Sequence, residues 1–189
     1  MTHRRRSVRL HEYDYSWPGA YFITVRAYDQ RHLFGEIVAG SLDISDEGRI
    51  VQSVWDDLPQ HYPHVTSDAF VIMPNHIHGI IVINEADVGA GFKPAPTGTT
   101  KRFIRHGLPE IVRALKSFSA RRINVWRGMP GRSVWQRGYY EHVVRNDESI
   151  DQIRAYIVNN PKRWDVDGEN RQKLRRRRIV AEEALPWNT

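Results

Sequence analysis

Two apolar runs, 69–73 (AFVIM) and 77–83 (IHGIIVI), are separated only by Pro74-Asn75-His76. Both read as buried strands, and the turn joining them is tight. So short a connection fits neighbouring antiparallel strands, not a βαβ crossover, which needs a dozen or more residues. Residues 20–27 (AYFITVRA) are rich in aromatic and β-branched side chains and read as a further strand, and 33–44 reads as a hairpin about Gly40-Ser41. Ser45-Asp46-Glu47 is a helix start; Ile50, Val51, Val54, Trp55 and Leu58 follow at helical spacing, and Pro59 is expected to help end that helix. A second helix is expected over 109–125 and a strand over 134–144, interrupted at Gly138. A third helix is expected over about 148–159, capped by Asp147 and stopped by Pro161. Strands and helices mix without regular βαβ alternation. The expected class is α+β, a largely antiparallel sheet with helices packed on it.

The 189 residues fit one domain with a real core. We expect that domain over 1–164 and a basic C-terminal tail over 165–189. Residues 87–100 (DVGAGFKPAPTGTT) read as a flexible loop. The chain has no cysteine, which excludes disulfides, thiolate zinc sites and cysteine nucleophiles. No apolar stretch is long enough to span a bilayer, and no apolar run follows the charged N-terminus, so a cytoplasmic protein without membrane attachment is expected. The net charge of +6 is unevenly spread: residues 1–100 carry 8 basic and 12 acidic side chains, and residues 101–189 carry 20 and 10. Arg4, Arg5 and Arg6 sit together, as do Arg175, Arg176, Arg177 and Arg178. A basic half with arginine clusters suggests a polyanion such as nucleic acid; a solvated basic surface is the competing reading.

The sharpest chemical feature is His76-Ile77-His78. Side chains alternate along a strand, so the two imidazoles share one face, where they can hold one metal ion, and Ile77 enters the opposite layer. A pair of structural histidines is the plain alternative, but two polar rings inside an apolar strand need a reason to be there. A histidine-triad hydrolase would need a third His at residue 80, which is Ile. On the last helix, Tyr156 and Asn160 are one turn apart on a common side. Tyr156 can act as a nucleophile and Asn160 can offer an amide oxygen to a metal; equally, the tyrosine can simply pack and the asparagine close the helix.

Three separated motifs, 73–81 (MPNHIHGII), 135–145 (WQRGYYEHVVR) and 156–161 (YIVNNP), together with 9–15 (RLHEYDY) and 19–24 (GAYFIT), resemble the REP-associated tyrosine transposases. These are the single-tyrosine branch of the HUH (His–hydrophobe–His) nucleases. The likeness runs from about residue 7 to 164. It implies a ferredoxin-like α+β sandwich with the HUH motif on a central strand and the tyrosine helix over its face. It implies His76, His78 and Asn160 as ligands of Mg²⁺ or Mn²⁺, and Tyr156 as the nucleophile. It also implies cleavage and rejoining of single-stranded DNA at hairpin-forming repeats through a 5′-phosphotyrosine link, by a monomer or homodimer. Pro161 disfavours helical backbone at Asn160, which leaves the aim of that side chain open. Tyr139 and Tyr140 are rival nucleophiles, placed on a strand without a polar partner four residues on. A non-catalytic nucleic-acid-binding regulator that keeps the fold, and a metal-dependent hydrolase using water, are the alternative functions. The arginine clusters are candidate phosphate contacts.

Overall fold

The computed structural model describes residues 13–85 and 106–164. In chain order the elements are strand β1 (Gly19–Arg26), the hairpin β2 (Gly35–Val38) and β3 (Ser41–Ile44), and helices α1 (Asp46–Asp56) and α2 (Leu58–His61). Strands β4 (Val65–Met73) and β5 (His76–Ile83), helix α3 (Leu108–Trp126), strand β6 (Tyr140–Val144) and helix α4 (Asp147–Arg163) follow. The main sheet runs β4-β5-β1-β6, with every neighbouring pair antiparallel. Apart from the hairpin and α2, this is a β-α-β-β-α-β plan of ferredoxin-like topology with α4 added at its end.

Alternation along the strands divides the sheet into two faces. On one, Tyr21, Ile23 and Val25 of β1 and Ile77, Ile81 and Ile83 of β5 join Val51, Val54 and Trp55 of α1 and Ile111, Val112 and Leu115 of α3 in one buried core. Gly79 lies on this face. A Cβ there would collide with the Trp55 ring, so glycine is what lets α1 approach β5 so closely. Trp55 in turn stacks on Phe70 of β4 with ring centroids 4.3 Å apart. The opposite face carries Phe22, Thr24 and Arg26 of β1 in register with Ile80, His78 and His76 of β5. Helix α4 packs over β4 at one side of this second face, burying Ile157, Asn160 and, at its end, Trp164.

Several expected boundaries hold. Ser45 caps α1 by accepting from the Gly48 N–H at 3.1 Å, and the hairpin forms, with its turn one residue earlier than expected, at Ala39 and Gly40 with φ of 50° and 77°. Others need correction. Pro59 does not stop α1, which ends at Asp56; it sits in the first turn of α2, where a missing N–H costs nothing. The strand expected over 134–144 is reduced to 140–144 plus an isolated bridge between Ala27 and Trp135. Between them, Gly138 has φ of 76° and Lys116 of α3 donates to the Gln136 and Gly138 carbonyls at 2.8 Å each, drawing those groups away from the sheet. Asn146, not Asp147, caps α4, accepting from the Ser149 N–H at 2.8 Å. Pro161 does not stop α4, which continues to Arg163. Burial of Ile157, Asn160 and Trp164 along one stripe outweighs the hydrogen bond the proline forfeits. The loop over 87–100 and the tail over 165–189 lie outside the described residues.

Candidate active site

The first two positions of β5 on the outer face are occupied by imidazoles. His76 and His78 point to the same side, with Nε2 atoms 2.9 Å apart and ring centroids 4.5 Å apart, while Ile77 is wholly buried in the core. Each ring is backed at its other nitrogen. Oδ1 of Asn75 lies 2.7 Å from Nδ1 of His76, and the Thr24 hydroxyl lies 2.8 Å from Nδ1 of His78. An amide oxygen only accepts, so His76 carries its proton on Nδ1 and turns a lone pair inward at Nε2. A hydroxyl both donates and accepts, so Thr24 suits either tautomer of His78. Phe22 stacks on His78 at 5.4 Å and 23°, fixing the ring plane. Burial, then the neighbouring His78 and Arg26, hold His76 well below the usual imidazole range. Burial, then Arg26, lower His78 to about 3. Both rings are therefore neutral at physiological pH, the state in which imidazole binds metal.

Helix α4 supplies the rest. The Tyr156 hydroxyl lies 3.4 Å from Nε2 of His78, and the tyrosine is 40% exposed, so it meets both the histidine pair and solvent. Eight residues on, the Trp164 ring lies 6.1 Å from that of His76. Asn160 is midway between them on the same helical stripe. It is buried, and among the described residues its Oδ1 has no hydrogen-bond partner. The helical backbone at Asn160, which the proline seemed to disfavour, is what puts it there.

These donors fit a divalent ion. Two cis ligands with bonds of about 2.1 Å stand about 3.0 Å apart, close to the separation of the two Nε2 atoms. The buried Asn160 amide oxygen, unpartnered among the described residues, is of the hard type that suits such an ion. Among the described residues no group of three or more His, Cys, Asp or Glu side chains that could hold a metal ion converges.

The rival tyrosines separate cleanly. Tyr139 packs against the core, whereas Tyr140 is 46% exposed on β6. Arg4–Arg6 and Arg175–Arg178 lie outside the described residues. Thr24, Asn75, Phe22 and Trp164 are members of the site that sequence reasoning missed. Asn75 could have been suspected from its place beside His76; Thr24 could not, because its contact with His78 depends on the β1–β5 register. No described helix is long and apolar enough to cross a membrane.

An uncharacterised protein of Haemophilus influenzae is 38% identical to this chain over 172 residues, 87% of the chain and 92% of its own length. A second protein of that organism, a candidate REP-associated tyrosine transposase, is 25% identical over 148 residues, 78% of this chain and 73% of its own. The solved structure of a REP-associated tyrosine transposase bound to a REP hairpin shares the fold, with a TM-score of 0.55 and 18% identity, covering 82% of this chain and 74% of that one. No protein-family model matches the chain.

Proposed function

We propose that the chain is a REP-associated tyrosine transposase, like the relative and the solved structure it resembles, and that it cleaves and rejoins single-stranded DNA at hairpin-forming repeats, with Tyr156 as nucleophile. The observation that carries this reading is the 3.4 Å approach of the Tyr156 hydroxyl to a pair of neutral, converging histidines. A structural histidine pair would have no need of a half-exposed phenol beside it.

His76, His78 and Asn160 would hold Mg²⁺ or Mn²⁺, which a mixed imidazole and amide-oxygen set suits in a working phosphoryl-transfer site, although imidazole alone would also take Zn²⁺ or Ni²⁺. When bound, the ion supplies Lewis-acid polarisation of the scissile phosphate and offsets charge in the transition state. Asn75 and Thr24 back the two rings at Nδ1, so that both Nε2 lone pairs would face the ion. Tyr156 Oη forms a bond to phosphorus and gives up its proton to solvent, the residue being 40% exposed. The P–O3′ bond breaks and the departing 3′ oxygen takes up a proton. The products are a 5′-phosphotyrosine link and a free 3′-OH. The link conserves the phosphodiester, so another 3′-OH can attack it and rejoin strands without ATP. Arg4–Arg6 and Arg175–Arg178 are our candidates for phosphate contacts, which would make affinity fall with added salt.

The test is incubation with labelled single-stranded repeat hairpins and Mn²⁺, followed by denaturing electrophoresis. A denaturation-resistant protein–DNA band that Tyr156→Phe abolishes, with hairpin binding retained, is expected. Cleavage by Tyr156→Phe at the wild-type rate would mean that water is the nucleophile. Binding without cleavage by the wild type would mark a regulator.

A further inference from the structure

The face bearing the histidines extends beyond them. Thr24 pairs with His78 on one side and with Tyr140 on the other, so His78, Thr24 and Tyr140 form one row across β5, β1 and β6. The next row is Ile80, Phe22 and His142. With strands about 4.8 Å apart, the Tyr140 backbone stands about 10 Å from that of His78. Helix α4 covers the β4 side of this face, whereas at the β6 edge Tyr140 is 46% exposed and His142 is exposed. The surface between is aromatic and continuous. Phe22 stacks on His78, meets Tyr156 edge-on at 6.2 Å and meets Tyr140 edge-on at 6.3 Å.

Charge favours an anionic strand along this edge. Arg26 lies on the same face beside His76, and exposed Arg137 and Arg145 flank β6 in the chain. A duplex already buries its bases in its own stack; an unpaired base offers a free π-face, which an exposed aromatic ring can cover with little regard to sequence. We propose that Tyr140 is a stacking platform for the unpaired base next to the phosphate held at His76, His78 and Tyr156. The inference rests on the nuclease reading above and adds a subsite to it. In this role Tyr140 is a binding residue, not a rival nucleophile.

The probe is a short fluorescein-labelled oligothymidylate, read by anisotropy without divalent metal so that binding is separated from cleavage. Tyr140→Leu keeps apolar bulk against Phe22 but removes the π-face. It should weaken binding about 5- to 150-fold, the range for losing one base–aromatic stack. Tyr140→Phe should bind as the wild type does. A strand of the same length made of abasic sites should bind wild type and Tyr140→Leu alike. Unchanged oligothymidylate affinity in Tyr140→Leu would overturn the proposal, and so would an equal loss on the abasic strand. A change of sedimentation mass in Tyr140→Leu without a change in binding would assign the edge to a second copy of the chain and likewise overturn it. The two readings fail separately. A covalent adduct with normal Tyr140→Leu binding sinks only the subsite. Tyr140-dependent binding without any adduct sinks only the nuclease.

Discussion

Oδ1 of Asn75 stands 2.7 Å from Nδ1 of His76 and thereby decides which nitrogen of that ring is free. His78 has no such one-way partner: its Nδ1 meets a hydroxyl, which answers either tautomer. One ring is thus preset and its neighbour adapts. Without metal, His78 can donate from Nε2 to His76. To bind a metal through Nε2, His78 would carry its proton on Nδ1 and donate to Thr24.

Removing the preset should be costly for metal and modest for the fold. Asn75→Ala is expected to lower Mn²⁺ affinity about 10- to 100-fold, the usual effect of losing a partner behind a metal-binding histidine. Calorimetric titration with Mn²⁺ measures it. Thr24→Val should have a similar effect, because the metal-binding tautomer of His78 then leaves a buried N–H without an acceptor. Equal affinity in both variants and the wild type would show that the ring orientations are set by packing alone.

The same burial makes metal-free stability depend on pH. His78 is lowered to about 3 and His76 falls well below its ordinary value, while in the unfolded chain both titrate near about 6.5. Between those limits the unfolded chain binds more protons than the folded one. Stability therefore rises with pH through this window, is fully present above about 6.5 and is lost as pH falls. Urea midpoints of the metal-free protein should drop from about pH 7 to about pH 5. A His76→Gln/His78→Gln variant should give a flatter profile there. Parallel profiles would place the acid sensitivity elsewhere.

Gly79, within the His-Ile-His-Gly run, serves the opposite face of the sheet. A methyl group there meets the Trp55 ring, which is only 2% exposed and stacked on Phe70. Gly79→Ala is expected to cost about 1–3 kcal/mol by overpacking, with a smaller loss in a Trp55→Phe background. Denaturant unfolding of the four proteins in the cycle reads the coupling. Additive losses would show that the ring yields without strain.

Local rules made some of this site legible and could not reach the rest. Strand alternation puts His76 and His78 on one face and Ile77 in the core, and helical spacing puts Tyr156 and Asn160 on one stripe, so those four positions follow from the sequence by counting. Thr24 is 54 residues from His78, and nothing in either segment specifies the β1–β5 register that joins them. Pro161 misled because its local preference against a preceding helical residue is small beside the burial of Ile157, Asn160 and Trp164. The strand expected through 134–139 failed for a similar reason: Lys116, some 20 residues away, captures carbonyls that a sheet would otherwise use.

The helix bearing Tyr156 has an anchor of its own. Within α4 only Ile157 and Asn160 are buried, both near its C-terminal end, so the N-terminal half lacks a full apolar footing. There Arg154 grips Asp68 of β4 with a two-pronged contact, Nε donating to Oδ1 at 3.0 Å and Nη2 to Oδ2 at 2.6 Å. Asp68 sits where the β4–β5 register shifts, between Ser67 and Phe70, and the bulge is what frees its carboxylate for the helix. The Arg154 hydrogen bonds hold the Asp68 carboxyl below its ordinary range. The pair is partly exposed, so its loss should change global stability little. Its effect on geometry is another matter, because Tyr156 is two residues from Arg154, and a shift of about 1 Å at a nucleophile can cost about 100-fold in rate. Asp68→Ala is expected to slow formation of the covalent adduct about 10- to 100-fold while hairpin affinity and melting temperature stay near wild type. Arg154→Lys keeps the charge but not the fork and should fall between. Single-turnover adduct formation at saturating DNA measures this directly, and a wild-type rate in Asp68→Ala would mean that Ile157 and Trp164 alone position the tyrosine.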